Sequence, residues 1–141
     1  MKPIPKFEDA LVLRTDFSNS TAWEEICAAI RQPVGGQGFQ AYVEFFSDPE
    51  YDGANIEQVL LAIPKDYNHS FLFIVDHVAL SHSEQPVLVL DLEFEGGQTF
   101  RAIPSEMSTV ENNLSIANMG FEDFADAVDS DGIFRGLKEQ A

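Results

Sequence analysis

Five consecutive apolar residues, Phe71-Leu72-Phe73-Ile74-Val75, constrain this chain more than any other stretch of it. A strand with one face in water alternates apolar and polar residues, whereas a strand covered on both faces has no reason to alternate. The run is therefore expected as the central strand of a sheet with packed layers on both sides. Ala10-Leu11-Val12-Leu13-Arg14-Thr15 is a second apolar run of strand length, ended by Asp16 and the polar cluster Ser18-Asn19-Ser20.

Between the two runs the period changes. Thr21 stands three residues before Glu24, a capping-box spacing, and Trp23, Ile26, Cys27 and Ile30 follow at i, i+3, i+4 and i+7 of a helix. Pro33-Val34-Gly35-Gly36-Gln37-Gly38 breaks that helix, and Phe39 to Phe46 is expected as the next strand. Asn55 precedes Gln58 with the same capping spacing, which predicts a short helix from Asn55 to Ile63 halted by Pro64. A β-α-β-α-β order with buried strands predicts a sheet that begins parallel, with helices packed against it.

The second half has a different grammar. Val87 to Phe94 and Thr99 to Ile103 flank Glu95-Gly96-Gly97, a hairpin signal. A two-residue loop would set Leu92 against Arg101 and mix charge with core. A three-residue loop, Glu95 to Gly97, sets Leu92 against Phe100, Leu90 against Ala102, and Asp91 directly against Arg101. This second register is the expected one, because a one-residue slip exchanges the two faces and only this choice keeps apolar with apolar. After Pro104, Ser108 with Glu111 suits a helix start, while Leu114-Ser115-Ile116-Ala117-Asn118 alternates like an edge strand; both assignments stand. Phe121, Phe124, Ala125 and Val128 make a helical stripe, Asp129-Ser130-Asp131-Gly132 a turn, and Phe134 returns to the core. The expected fold is a single α/β domain over residues 1–141: a mixed sheet starting β-α-β-α-β, then an antiparallel hairpin and a C-terminal helix. A chain of this length buries about 68–70% of its unfolded surface, enough for one core.

Charge narrows the function classes. With 24 acidic against 8 basic residues the formal net charge is −16, yet 45% of the chain is hydrophobic, so this is a folded acidic domain and not a disordered tail. Nucleic-acid affinity comes largely from Lys and Arg neutralising phosphates, so DNA and RNA are not expected partners. Anionic membrane surfaces are disfavoured by the same field, and no apolar run approaches the roughly 20 residues of a membrane span. The start of the chain, Met1 to Lys6, lacks the apolar stretch of a signal peptide, and a single cysteine, Cys27, makes no internal disulfide. The expected location is the cytoplasm.

Asn112-Asn113-Leu114-Ser115-Ile116-Ala117-Asn118-Met119-Gly120-Phe121, with Phe100-Arg101 before it and Gly132-Ile133-Phe134-Arg135-Gly136 after it, resembles a family of small acidic, mostly bacterial proteins catalogued as a domain of unknown function. The similarity runs from about Leu11 to the C-terminus. It implies no activity and transfers no functional residue.

Site candidates then rest on chemistry. Asp16, Asp48 and Asp76 each follow an expected strand, and ligands of open parallel sheets bind at the carboxyl ends of strands. Three carboxylates there would suit Mg²⁺ in a small Mg-dependent enzyme. Asp at a strand end is also an ordinary turn former and cap, which is the simpler account. Asp91 within a strand calls for a partner, and Arg101 supplies one as a structural ion pair. Asn112, Asn113 and Asn118 present amides for a ligand or for local bonds to the backbone. Gly35-Gly36-Gln37-Gly38 precedes a strand and lacks a following Lys-Ser or Lys-Thr, so it is a loop and not a phosphate cradle. His69, His77 and His82 have no metal-ligand spacing, and Cys27 lies on an apolar helix stripe, where a thiol is inert. No metal or cofactor is expected. The expectation that remains is a non-enzymatic domain that captures a basic protein, as an inhibitor or immunity-type protein does, through Glu44, Asp48, Glu50, Asp52 and Glu57, a run without an intervening cation.

Overall fold

A computed structural model describes residues 1–36, 38–93 and 97–137. Among the described residues six strands form one sheet: β1 (Ala10–Arg14), β2 (Val43–Phe46), β3 (Phe71–Val75), β4 (Val87–Asp91), β5 (Thr99–Ala102) and β6 (Ile133–Phe134), in the order β2-β1-β3-β4-β5-β6. β2, β1 and β3 are mutually parallel, β4 is antiparallel to both β3 and β5, and β6 is parallel to β5. Five strands thus point the same way and β4 alone opposes them. All five residues of β1, β3 and β4 are buried, as unalternating runs require.

The two faces are covered unequally. On one, α1 (Ser20–Arg31), α3 (His77–Ser81), α4 (Met107–Ser115) and α5 (Phe121–Ala125) pack over Val12, Phe71, Phe73, Val89 and Phe100. Among the described residues the other carries one helix, α2 (Ile56–Ala62), helped by Tyr51 and by Ile4 from the N-terminal segment, over Leu11, Leu13, Leu72 and Leu90. Tyr51 donates its hydroxyl hydrogen to the Lys2 carbonyl at 2.6 Å, and the Ile4 N–H reaches the Ala62 carbonyl at 2.8 Å, which ties that segment down.

α1 buries the expected stripe of Trp23, Ile26, Cys27 and Ile30, but its cap is Asn19, whose side chain accepts from the Ala22 N–H, and not Thr21. α2 has the expected capping box: the Asn55 side chain accepts from the Gln58 N–H at 2.8 Å and Gln58 returns the bond at 3.0 Å. Of the region left open at 105–119, Met107–Ser115 is helical as α4 and the residues after it form a turn, so the edge-strand alternative falls. β2 begins at Val43 and not at Phe39, which instead closes an antiparallel bridge with Val34. α5 ends at Ala125 without reaching Val128, and α3 and β6 had no place in the expected order.

The hairpin register is the main correction. β4 pairs with β5 as Val87↔Ala102, Leu88↔Arg101, Val89↔Phe100 and Leu90↔Thr99, and Asp91 donates its N–H to the Gln98 carbonyl at 2.9 Å. Arg101 is thus three positions from Asp91 along the ladder and on the opposite face. The pattern argument failed because Val87-Leu88-Val89-Leu90 is apolar on both faces and cannot report parity. β4 was expected to reach Phe94; it ends at Asp91, and Phe94, Glu95 and Gly96 lie outside the described residues. Gly97 has φ +70°, and a Cβ there would stand 2.9 Å from Leu60 Cδ1, so glycine is required where the connection crosses α2.

Candidate functional site

Order β2-β1-β3 reverses direction at β1, since α1 leads to β2 on one side and β3 lies on the other. Crevices outside the carboxyl ends of strands at such a reversal are where open α/β sheets bind ligands. Here the Thr15 N–H bonds the Val75 carbonyl at 3.0 Å, and Asp16 and Asp76 leave the two strands side by side.

The two aspartates have different partners. Asp16 accepts from the Ser18 N–H at 2.8 Å through Oδ1, and its Oδ2 lies 2.8 Å from His77 Nδ1. Bonds from Ser18, with the His77 ring adding to them, hold the Asp16 carboxyl below the usual carboxylate range. The imidazole is 77% exposed and is oriented by its Nδ1 contact, which leaves Nε2 toward solvent. Asp76 caps α3 through the Ala79 N–H at 3.1 Å and receives Arg101 bidentately, Nη1 to Oδ1 at 2.9 Å and Nη2 to Oδ2 at 2.7 Å. Arg101 also donates to the Pro86 carbonyl at 3.0 Å, locking the start of β4 to β5.

Beside this edge, a groove of about 740 Å³ opens on the face that carries α2. Ile74 and Leu88 give it an apolar floor, with Thr15, Asn55, Asp76 and Arg101 as its polar lining. Arg14 braces the edge from the other face. It is 6% exposed, donates Nε–H to the Asp16 carbonyl at 2.9 Å, and lies under the rings of Phe17 and Trp23 at 4.2 and 5.3 Å.

Asp48, the third strand-end aspartate, is engaged elsewhere: it caps the 3₁₀ turn at Pro49–Tyr51 and holds Lys2 Nζ at 2.9 Å. The carboxylates of Asp16, Asp48 and Asp76 therefore each serve a separate protein partner. Among the described residues no group of three or more His, Cys, Asp or Glu side chains is arranged to hold a metal ion. The acidic run from Glu44 to Glu57 is also divided by the fold. Asp48 and Glu50 share Lys2, the latter at 3.5 Å, so a cation from far along the chain compensates them. Asp52 accepts from the Phe17 N–H at 3.3 Å, whereas Glu44 and Glu57 are simply exposed.

Asp91 lies at the opposite end of the sheet, 3% exposed, with Oδ1 accepting from the Glu93 N–H at 3.0 Å. Asn113 and Asn118 make local bonds: Asn113 donates to the Thr109 carbonyl at 2.8 Å and accepts from Asn118 Nδ2 at 2.9 Å, pinning the turn after α4 where Ala117 has φ +55°. Asn112 is exposed on α4. Arg135 bonds Glu84, Asp129 and Asp131 together, which fixes the expected turn before β6. Burial pushes the Cys27 thiol up to about 11, in keeping with an inert core cysteine.

The structure thus brings Asp16, Asp76 and Arg101 to one edge and separates Asp48, Asp91 and the asparagines from it. Sequence reasoning missed His77 and Arg14. The available signal for His77 was its position directly after Asp76, the first residue beyond the central strand, and not any spacing to other ligands.

Among the described residues the chain is a mixed α/β protein of six strands, with the Asp16–His77 contact and the Asp76–Arg101 ion pair at adjacent strand ends. The chain belongs to the family described as "Domain of unknown function (DUF6924)", whose model matches residues 9–137. No curated protein matches it.

Proposed function

We propose that this protein is a non-enzymatic binding domain that captures a basic protein in the cytoplasm, as an inhibitor or immunity-type protein does. The observation that supports the reading is how folding distributes the charges. Lys2, Lys6, Arg101 and Arg135 are each committed to carboxylates of this chain, and Arg14 is buried under aromatic rings. Most of the 24 acidic residues have no basic partner among the described residues, so the negative field survives folding. Such a field steers a positively charged protein and accelerates encounter. The test is affinity capture from the native host followed by stopped-flow association with the recovered partner. The expected result is a basic partner whose on-rate falls steeply with salt, and falls further when Glu44 and Glu57 are reversed to Lys. An acidic partner, or an on-rate indifferent to salt, overturns the reading.

A second reading draws on the Asp16-His77 contact, in which a carboxylate orients an exposed imidazole beside a groove, the arrangement of a general base. The small Mg-dependent enzyme is the metal version of that reading, with Asp16 and Asp76 at adjacent strand ends. A melting temperature raised selectively by millimolar Mg²⁺ or Mn²⁺, and no longer raised in Asp76→Ala, supports the enzyme. The same response to divalent and monovalent salt at equal ionic strength rejects the metal version.

A further inference from the structure

A pocket of about 420 Å³ lies between the loop before β3, the end of β4 and the turn joining α4 to α5. Asp91 lines it, and is almost wholly removed from water without a cationic partner among the described residues. Among the described residues its Oδ1 accepts from the Glu93 N–H. An ionised carboxylate in that position costs free energy unless something compensates it, and in this family member the expected compensator, Arg101, belongs to Asp76.

Several donors of the lining are turned toward other groups of the protein. Asn68 Nδ2 and His69 Nε2 both bond the Phe7 carbonyl, at 2.8 and 3.1 Å. Ser115 gives its hydroxyl hydrogen to Glu111 at 2.7 Å, and Asn118 Nδ2 bonds Asn113. The amide oxygens of Asn68 and Asn118 stand in the same lining as the carboxylates of Asp91 and Glu93, four side chains that offer acceptors to an incoming group. The rings of Phe71 and Phe121 add aromatic surface. Acceptors around a buried carboxylate, with aromatic walls, complement a group that carries only donors and a positive charge.

We propose that this pocket binds a guanidinium or ammonium group, which, on the capture reading above, is a basic side chain of the protein partner. The test follows backbone amide shifts of the intact protein during titration with N-acetyl-arginine methylamide, and with the uncharged citrulline analogue as its isostere. Shifts clustered at 68–71, 91–93 and 115–121 that saturate with the arginine compound and fail with citrulline are expected. Asp91→Asn retains the Oδ1 acceptor for the Glu93 N–H and should weaken binding at least tenfold; Glu93→Gln, at an exposed position, should weaken it less. Unsaturable shifts spread over the acidic surface, or equal binding by folded Asp91→Asn, overturn the pocket. A recovered partner that binds Asp91→Asn as well as wild type overturns the pocket while leaving capture intact. Saturable arginine binding with a salt-indifferent partner association upholds the pocket and overturns capture.

Discussion

Asp76 and Asp91 sit at opposite ends of the same pair of strands and have opposite fates. Asp76 follows β3, caps α3 and holds a bidentate arginine. Asp91 ends β4 across from Phe71, more deeply buried, with one backbone N–H and no cation among the described residues. The first is a structural fastener: it joins β3, α3, β4 and β5 through one carboxylate. The second is a buried side chain with no cation beside it among the described residues. The contrast teaches that burial of a charged residue is not itself a sign of an internal ion pair: Arg101, the expected partner of Asp91, lies on the other face and is held by Asp76, where a helix cap positions the carboxylate.

The largest effect expected from this contrast is at the fastener. Arg101→Met should cost about 2–4 kcal/mol in urea unfolding, because it strands a partly buried carboxylate as well as removing charge-assisted bonds. A double-mutant cycle of Asp76 with Arg101 should show a coupling of about 1–3 kcal/mol, and one of Asp91 with Arg101 should be additive within about 0.5 kcal/mol. Coupling of Arg101 to Asp91 instead would restore the three-residue-loop register and dissolve the comparison.

Next in size is the connection that sets the register. Gly97→Ala should destabilise by about 1–3 kcal/mol, since the added methyl meets Leu60 and Ile56 at a positive φ. A neutral result in thermal unfolding would mean that this segment does not pack on α2.

Asp91→Asn should act in the reverse direction, raising stability by about 0.5–1 kcal/mol, because it removes an uncompensated buried charge and keeps the turn acceptor. A loss of stability by calorimetry would show that Asp91 is a fastener like Asp76.

The smallest effect concerns Asp16, the neighbour of Asp76 at the strand edge. Its carboxyl is held below the usual range by Ser18 and then His77, so its contribution is complete above the unfolded value of about 4 and is lost as pH falls through the lower folded one. Asp16→Asn should therefore lower stability near neutrality and shrink the part of the acid-induced loss that falls below about pH 4, measured by urea midpoints across pH. An unchanged acid limb would show that the bonds to Ser18 and His77 do not persist in solution.

Much of the local chemistry was legible in the sequence, although the α1 cap fell at Asn19 instead of Thr21 and α3 was missed. The Asn55-Gln58 box, the Trp23-Ile26-Cys27-Ile30 stripe, the unalternating Phe71–Val75 strand and the Asp129–Gly132 turn depend on neighbours within a few residues, and each is in place. Strand-end placement of Asp16 and Asp76 was legible for the same reason. What only the tertiary structure decided were the pairings across the sheet. β4 is apolar at four successive positions, so it satisfies either parity, and nothing local selected Arg101 for Asp76 over Asp91. His77 reached Asp16, Lys2 reached Asp48, and the acceptors of the Asp91 pocket came from the loop before β3, the end of β4 and the turn after α4. Side chains that meet across long stretches of chain are chosen by the summed packing of all layers, and that sum is absent from any short window of sequence.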